Sequence, residues 1–591
     1  MHLVTTALRE FWPQSGSVLL LSPGCLPFPA DLPSGSPWEV KGIVQDPWDS
    51  QNNAIRASKE IEVICDRLLP ALAYRMNLIH GTSYSERYWR ILLGIWLQSY
   101  VAVLYDRYNR LLNARAELGV FKTIGLDESC FIVPANTLEY VYEVTDDRYN
   151  LQIYTRLCNS LHIPLIEVRK PYAAPNPQKI LQLQHCRFKN IYRNILITSY
   201  FMAQKVIASQ AKVILRSSYH SRTFNLMLTL ATGCKVWDFV DRPCTISVGS
   251  EVNSQMRNAL RFFQDEASEF EKVIAEYLHL DVPKVYVENY ESLSKYSTEL
   301  YGGMRPKVIV SMNSWWFDEA FKHWAACCAE KGALLVGGQH GGNYGIDKNY
   351  WGENHEKKIV DKYFTWGWSE IRNPKVVPTA ASKLINIKKR PNKISGRGIL
   401  FTGTAQARFN VGIMKDFADY LNWQYRFFKS VSPNLIEEIR VRLHYADYGW
   451  GIKRRLEKAF PKLEYETWNR PFRQSLNGCR LLVCDHLSTT FAEALASNVP
   501  TVVFWNEDAT PIRETANPFI NELKNCRILH DTPESAAAWI DKVYSNLEDW
   551  WLLGQTQRTV LKFCSKYART SETPLRDWVL LLNQLLMKNE S

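Results

Sequence analysis

The chain has 591 residues, 46% hydrophobic and 22% charged, with 13% aromatic side chains and a formal net charge of +11. That length exceeds one core and implies about two to four domains, and the composition excludes a disordered, fibrous or collagen-like chain. The charge favours anionic partners such as nucleotides, phospholipid surfaces or acidic glycans, whereas the absence of any dense Lys/Arg run speaks against nucleic acid.

In chain order, "SVLLLSPGCLPF" (Ser17 to Phe28) predicts a strand breaking into a Gly/Pro loop. The opening "MHLVTTALREFWPQSG" lacks a signal-peptide pattern, and the 13 cysteines lack C-x-x-C pairs or zinc-finger spacing. Both read as a cytoplasmic protein with reduced thiols. From about Ala54 to Ala116 apolar residues recur at helical spacing. The most apolar part, "ILLGIWLQSYVAVLY" (Ile91 to Tyr105), contains Gln98 and Ser99. It is shorter than the ~20 apolar residues of a membrane span, so a buried helix is expected. On it, Glu86 and Arg90 stand at pairing distance, and an ion-paired helix supporting the core is the preferred reading; the alternative is that Arg87 and Arg90, which share a face, form the candidate clamp for an anionic acceptor, since arginine meets carboxylate or phosphate bidentately. "DDRYNLQIY" (Asp146 to Tyr154) opens a further helix. That start is read as an N-terminal helix cap, in preference to an arrangement that places Asp147 near the acceptor.

"AKVILRSSY" (Ala211 to Tyr219) predicts a strand, and the pattern then becomes regular: "PKVIVSMNSWW", the amphipathic "DEAFKHWAACCAEKG", "ALLVGGQHGG" and "KYFTWGW" alternate strand, helix, strand, strand. Such units give parallel crossovers and a doubly wound α/β sheet. After the basic, Pro-containing "NIKKRPNKISGRG" (Asn386 to Gly398) a second α/β unit begins at "ILFTGTAQ". "YRFFKSV" and "KLEYETW" read as strands, and "CRLLVCDHLSTTFAEALASNVPTVVFW" as strand, loop, helix, strand. The boundary therefore falls near residue 390. Residues 1–390 form one Rossmann-like domain with a helical insertion over about 50–210, and residues 391–591 form a second.

Two loops carry candidate chemistry. In "LLVGGQHGGN" an apolar strand ends at glycines flanking Gln339 and His340. Gly341, Gly342 and their neighbours imply either φ > 0 or something lying close to the backbone. His340 is the candidate general base or phosphate partner, with Gln339 beside it. In "VCDHLSTTFAEAL" a strand ends at Asp485, and a helix begins near Thr490. A helix N-terminus suits phosphate; His486, Ser488, Thr489 and Thr490 add polar groups, and Glu493 can accept from a ribose hydroxyl. The alternative, a capping box of Ser/Thr with Glu three residues on, is compatible with the same residues. Thr402 and Asn343, each at the end of a predicted strand–loop segment, complete the candidate donor site.

"GGQHGGNYG", "DKYFTWGW", the late "CRLLVCDHLSTTFAEAL…VPTVVFW" and "SERYWRILLGIWLQSYVAVLYDRY" together resemble a family of bacterial transferases found in surface-polysaccharide gene clusters. The Q-H-G loop, the "YFTWG" strand and the D-x-x-S-T loop are more distantly similar to CDP-glycerol glycerophosphotransferases and capsule Kdo transferases. The resemblance implies a GT-B-like fold, with a nucleotide-activated donor held by the second domain and a glycan or lipid-linked acceptor by the first. It places the loop histidine at His340 and the nucleotide loop at Asp485, Ser488 and Thr489. Relatives often carry Tyr-Ser where this chain has His486-Leu487.

No D-x-D, G-x-x-x-x-G-K-[ST], G-x-G-x-x-G or H-E-x-x-H occurs. The reading is accordingly a metal-independent, cofactor-free transferase. It would use a nucleotide-activated sugar or polyol-phosphate donor, CMP- or CDP-linked donors being the ones considered, and would act in the cytoplasm with peripheral contact at the inner membrane. The competing readings are a catalytically silent GT-B-like scaffold and a nucleotide-sugar epimerase.

Overall fold

The computed structural model describes residues 1–26, 35–171, 201, 204–240, 249, 251–262, 267–387, 389–390, 394–416 and 418–588. Much of the expected helical insertion beyond residue 171, and part of the predicted 390 boundary, lie outside these residues. Strands β1 (His2–Val4), β2 (Gly16–Leu20) and β3 (Trp38–Ile43) pair in parallel, as do β4 (Thr123–Leu126) and β5 (Leu165–Val168). The first large sheet contains β6 (Val213–Arg216), β7 (Val236–Asp238), β8 (Val308–Ser311), β9 (Leu334–Gly338), β10 (Lys362–Thr365) and β11 (Val376–Pro378), in the order β11-β10-β9-β8-β6-β7. The second contains β12 (Ile399–Thr402), β13 (Ile439–Arg442), β14 (Glu464–Tyr465), β15 (Leu481–Cys484), β16 (Thr501–Phe504) and β17 (Leu529–His530), in the order β14-β13-β12-β15-β16-β17.

Every pairing in both sheets is parallel. The central strands β8, β12, β15 and β16 are buried along their whole length, which is why they read as unbroken apolar runs. This is the α/β class expected: two doubly wound, Rossmann-like parallel sheets. One strand expectation fails. Tyr425 to Val431 lies largely within the helix Ala418–Ser430, which buries Phe427 and Phe428, because a short apolar run does not separate a strand from a buried helical face.

The predicted helical tract is two helices, α1 (Gln51–His80) and α2 (Glu86–Leu118), broken at Gly81, whose left-handed φ of 61° ends α1. α2 is buried on nearly every face. No described helix is long and apolar enough to cross a membrane. Near its C-terminal end, Arg110 lies 3.1–3.2 Å from Asp46, Asp106 and Asp416, tying α2 to both the N-terminal segment and the second domain. Burial raises the Asp46 and Asp416 carboxyls above their ordinary range, against the pull of Arg110.

Candidate functional site

Sheet topology fixes where a ligand can sit. Counted from its own first strand, the second sheet runs 3-2-1-4-5-6 and the first 2-1-3-4-5-6. The order reverses between β12 and β15 in one and between β6 and β8 in the other. Open α/β sheets bind ligands outside the carboxyl ends of the strands at such reversals.

At the second-sheet reversal, Asp485 directly follows β15. Its fully buried carboxylate accepts from the Thr404 backbone N–H at 3.0 and 3.3 Å and from the Gln424 amide at 2.6 Å, and it pairs with His486 Nδ1 at 2.7 Å. His486 Nε2 lies 3.0 Å from Thr490 Oγ1. Asp485 is therefore a brace that joins the β12 and β15 loops; its oxygens are spent on protein groups. Thr402 is corrected likewise: its hydroxyl donates to Cys484 Sγ at 3.1 Å inside the sheet. Ser488 occupies the N-cap of helix α4 (Thr489–Ala496) and makes no side-chain capping bond. The capping box, the alternative reading of this segment, is not formed. Glu493 faces Lys383 Nζ at 3.7 Å and Arg473 Nε at 3.5 Å instead, so its carboxylate belongs to a charge cluster and is not free for a ribose.

The glycine loop after β9 is packed against this helix start. A Cβ on Gly342 would lie 2.4 Å from the Ser488 carbonyl carbon and oxygen, and the Gly342 N–H donates to Thr489 Oγ1 at 3.2 Å. The close approach inferred from the sequence is thus met by the backbone of the second domain. Gly337, Gly338, Gly341 and Gly342 are all outside the positive-φ region, which in this loop holds Gly345 at 73°. We expect Gly342→Ala to destabilise the chain by ~1–3 kcal/mol through overpacking in urea unfolding. Gly341→Ala should cost clearly less, because its nearest neighbour is the movable Asn343 side-chain oxygen at 2.9 Å.

Gln339 is corrected from catalyst to support. It is buried, its amide donates to the Gly341 carbonyl, and its oxygen accepts from the Trp366 N–H and Trp368 Nε1, each bond 2.8 Å. Held this way, the loop presents His340 between aromatic rings: Tyr344 at 5.0 Å, Trp316 at 5.9 Å and Tyr219 at 6.5 Å between centroids. The side chain keeps 17% exposure. Burial, with Lys383 adding, lowers its pKa to about 4 against hydrogen bonds to the Met312 and Gly338 backbone, so the imidazole is neutral at physiological pH.

Tyr219 lies in a segment that includes Ser217 and Tyr219 at φ 50° and 63°, at the first-sheet reversal, where the Ser217 and Ser314 hydroxyls are 2.9 Å apart. Backbone held in sparsely populated regions clusters at functional sites. The sequence offered "RSSY" only as a strand end.

Beside this centre lies a cavity of about 390 Å³ between the domains. Asn343, Asp347, Tyr350 and Trp351 line it from the first domain, and Gln406, Asn410 and Tyr448 from the second. Its lining contains no Lys, Arg or His, and Asp347 is its one carboxylate among the described residues. Burial raises the Asp347 pKa to about 6. The Tyr350 hydroxyl reaches the Tyr344 hydroxyl at 3.4 Å, which connects the cavity wall to His340. At the cavity's edge the domains are joined by backbone: Asp347 and Ile512 form an antiparallel bridge, Lys348 N–H donates to the Pro511 carbonyl and Arg513 N–H to the Ile346 carbonyl, each at 2.9 Å.

The acceptor clamp is not assembled. Arg87 donates to the Ile359 carbonyl and pairs with Asp361 at 2.9 Å, and Arg90 pairs with Asp66 at 2.7 Å and Glu86 at 2.8 Å. Both guanidiniums are structural fasteners. The helix cap expected at "DDRYNLQIY" is formed, with Asp146 in that position, while Asp147 binds Arg408 of the second domain and the Ala7 N–H. No group of three or more His, Cys, Asp or Glu positioned to hold a metal ion occurs among the described residues.

Solved structures that match the chain include an O-GlcNAc transferase of Thermobaculum terrenum (12% identity, 90% of this chain and 98% of that one, TM-score 0.33). Another is MurG of Acinetobacter baumannii (10% identity, 63% and 99%, TM-score 0.33). A third is the glycosyltransferase SnogD of Streptomyces nogalater (13% identity, 63% and 99%, TM-score 0.34). No curated protein matches the chain. The model of the LIC12162 family transferases matches residues 1–582, and with a match over nearly its whole length the chain belongs to that transferase family.

Proposed function

We propose that the protein is a glycosyltransferase moving a sugar, or a related polyol phosphate, from a nucleotide-activated donor to a surface polysaccharide or its lipid-linked precursor. The observation that carries this reading is the meeting of two loops. Neutral His340, at the carboxyl end of β9, stands beside the Gly342–Thr489 contact that joins it to the uncapped start of α4. His340 takes the proton of the acceptor hydroxyl as its oxygen attacks the transferred group, and the nucleotide leaves with the bonding electrons. The Ser488 hydroxyl and the free N–H groups of α4 support the leaving phosphate. The cavity, charge-poor and walled by Tyr142, Tyr350, Trp351 and Tyr448 with Asn343, Gln406 and Asn410 among its amides, suits an uncharged, hydroxyl-rich ring better than a phosphate or an acidic sugar. The protein would work in the cytoplasm, at the membrane face where lipid-linked acceptors are held.

Incubation with CDP-, CMP-, UDP- and GDP-linked donors, with and without a glycan acceptor, tests the reading. Acceptor-dependent release of nucleotide is expected; binding without turnover would point to a scaffold, and donor conversion without acceptor to an epimerase. In calorimetry, the Ser488→Ala/Thr489→Ala double variant should weaken nucleotide binding by ~1.5–3 kcal/mol for each lost charge-assisted bond. Unchanged affinity would remove the phosphate role from this loop.

A further inference from the structure

Behind His340 lies a titratable group that the transfer step above does not use. Glu356, on helix α3 (Trp351–Ile359), is completely buried. Its Oε1 accepts from Trp316 Nε1 at 2.5 Å and from the Tyr344 hydroxyl at 3.4 Å, and its Oε2 accepts from the Tyr363 hydroxyl at 2.8 Å. His340 Nδ1 is 3.5 Å from Oε1, and the Tyr344 hydroxyl lies 3.0–3.1 Å from both ring nitrogens.

We infer that Glu356 and His340 form one titrating pair, linked through the Tyr344 hydroxyl, which holds a single proton near neutral pH and is active as a base only after losing it. This rests on the base role proposed for His340.

The surroundings give the reason. The groups facing the carboxyl are Trp316 from the turn after β8, His340, Tyr344 and Tyr350 from the glycine loop, Tyr363 from β10, and Glu353 one turn back on α3. None brings a fixed positive charge to Glu356. Glu353 adds repulsion, although Lys357 and Arg513 at 2.9 and 2.8 Å engage it. Lys383, a cation acting on the pair, bears on His340 and disfavours an imidazolium. A bare carboxylate is therefore costly in this box, and burial pushes its pKa up to about 8. With the proton in place, His340 would have to become an imidazolium beside a neutral acid. Once the proton has left, the imidazolium formed in the reaction faces a carboxylate and is stabilised by it. Glu356 is thus a positioning residue acting through His340, and Tyr344, with one proton to donate, serves one partner at a time.

The test uses the full chain with ¹⁵N-labelled histidine, the His340 signals being assigned by their loss in His340→Ala. In the wild type those signals should shift with a midpoint near pH 8 as Glu356 loses its proton; in Glu356→Gln that transition should vanish. Turnover should rise with pH through the same midpoint in the wild type. In Glu356→Gln it should be flat across that range, about tenfold or more lower at high pH, the equivalent of one pKa unit of lost imidazolium stabilisation, with KM little changed. No transition near pH 8 in the wild type, which requires no variant to fold, overturns the inference, and so does an unchanged transition in Glu356→Gln. A fully active His340→Ala would instead remove the base role while leaving the titrating pair intact.

Discussion

His340→Ala is expected to lower turnover by ~10²–10⁴-fold, the range for a positioned acid–base group, with little change in melting temperature. The imidazole meets the Tyr344 hydroxyl, Glu356 and the Met312 and Gly338 backbone, and the carboxyl keeps its Trp316 and Tyr363 donors when the ring is removed. The buried Glu356 carboxyl is then not left without donors. A structural histidine behaves in the opposite way: losing it costs stability through orphaned partners while each folded molecule works normally. Turnover per folded molecule and thermal unfolding, measured together on this variant, separate the two. A destabilised but fully active protein would end the base assignment.

Arg110→Met should produce the largest loss of stability, ~3–5 kcal/mol, the range for breaking a buried ion pair by removing one partner. Arg110 is 5% exposed and serves Asp46, Asp106 and Asp416, while Arg107 engages Asp106 alone among them. Without Arg110, Asp46 and Asp416 have to be protonated to stay buried. The native state then binds more protons than the unfolded chain, so stability falls as pH rises. The deficit should widen between pH 5 and pH 8 in urea titrations. A deficit independent of pH would show that the loss is one of packing.

Much of this fold can be read directly from residue patterns. The unbroken apolar runs at Val308, Leu334, Ile399, Leu481 and Thr501 are all buried parallel strands, because a strand covered on both faces has no polar side to alternate. The order of the strands is not legible, since it depends on crossovers between distant segments. The site was legible where chemistry is local: "QHGG" and "DHLSTT" both fall at the carboxyl ends of central strands, and their loops touch. Individual roles within them were not. Whether an amide or a carboxylate supports a loop or meets a ligand depends on what packs beside it, and Gln339, Asp485 and Thr402 all proved to be occupied by protein groups. Glu356 gave no signal, being one carboxylate on an ordinary amphipathic helix until Trp316, Tyr344 and Tyr363 close around it. Arg87 and Arg90 gave an ambiguous one, because clustered guanidiniums look alike whether they await a ligand or, as here, already hold Asp361, Asp66 and Glu86.

The seam between residues 346–348 and 511–513 is made largely of main-chain hydrogen bonds. Peptide groups are the same whatever side chain they carry, so this junction places few demands on residue identity. Relatives could exchange the amides and aromatics of the adjacent cavity while the domains continue to meet in the same register. The lining of the cavity and the join between the domains are thereby free to evolve separately.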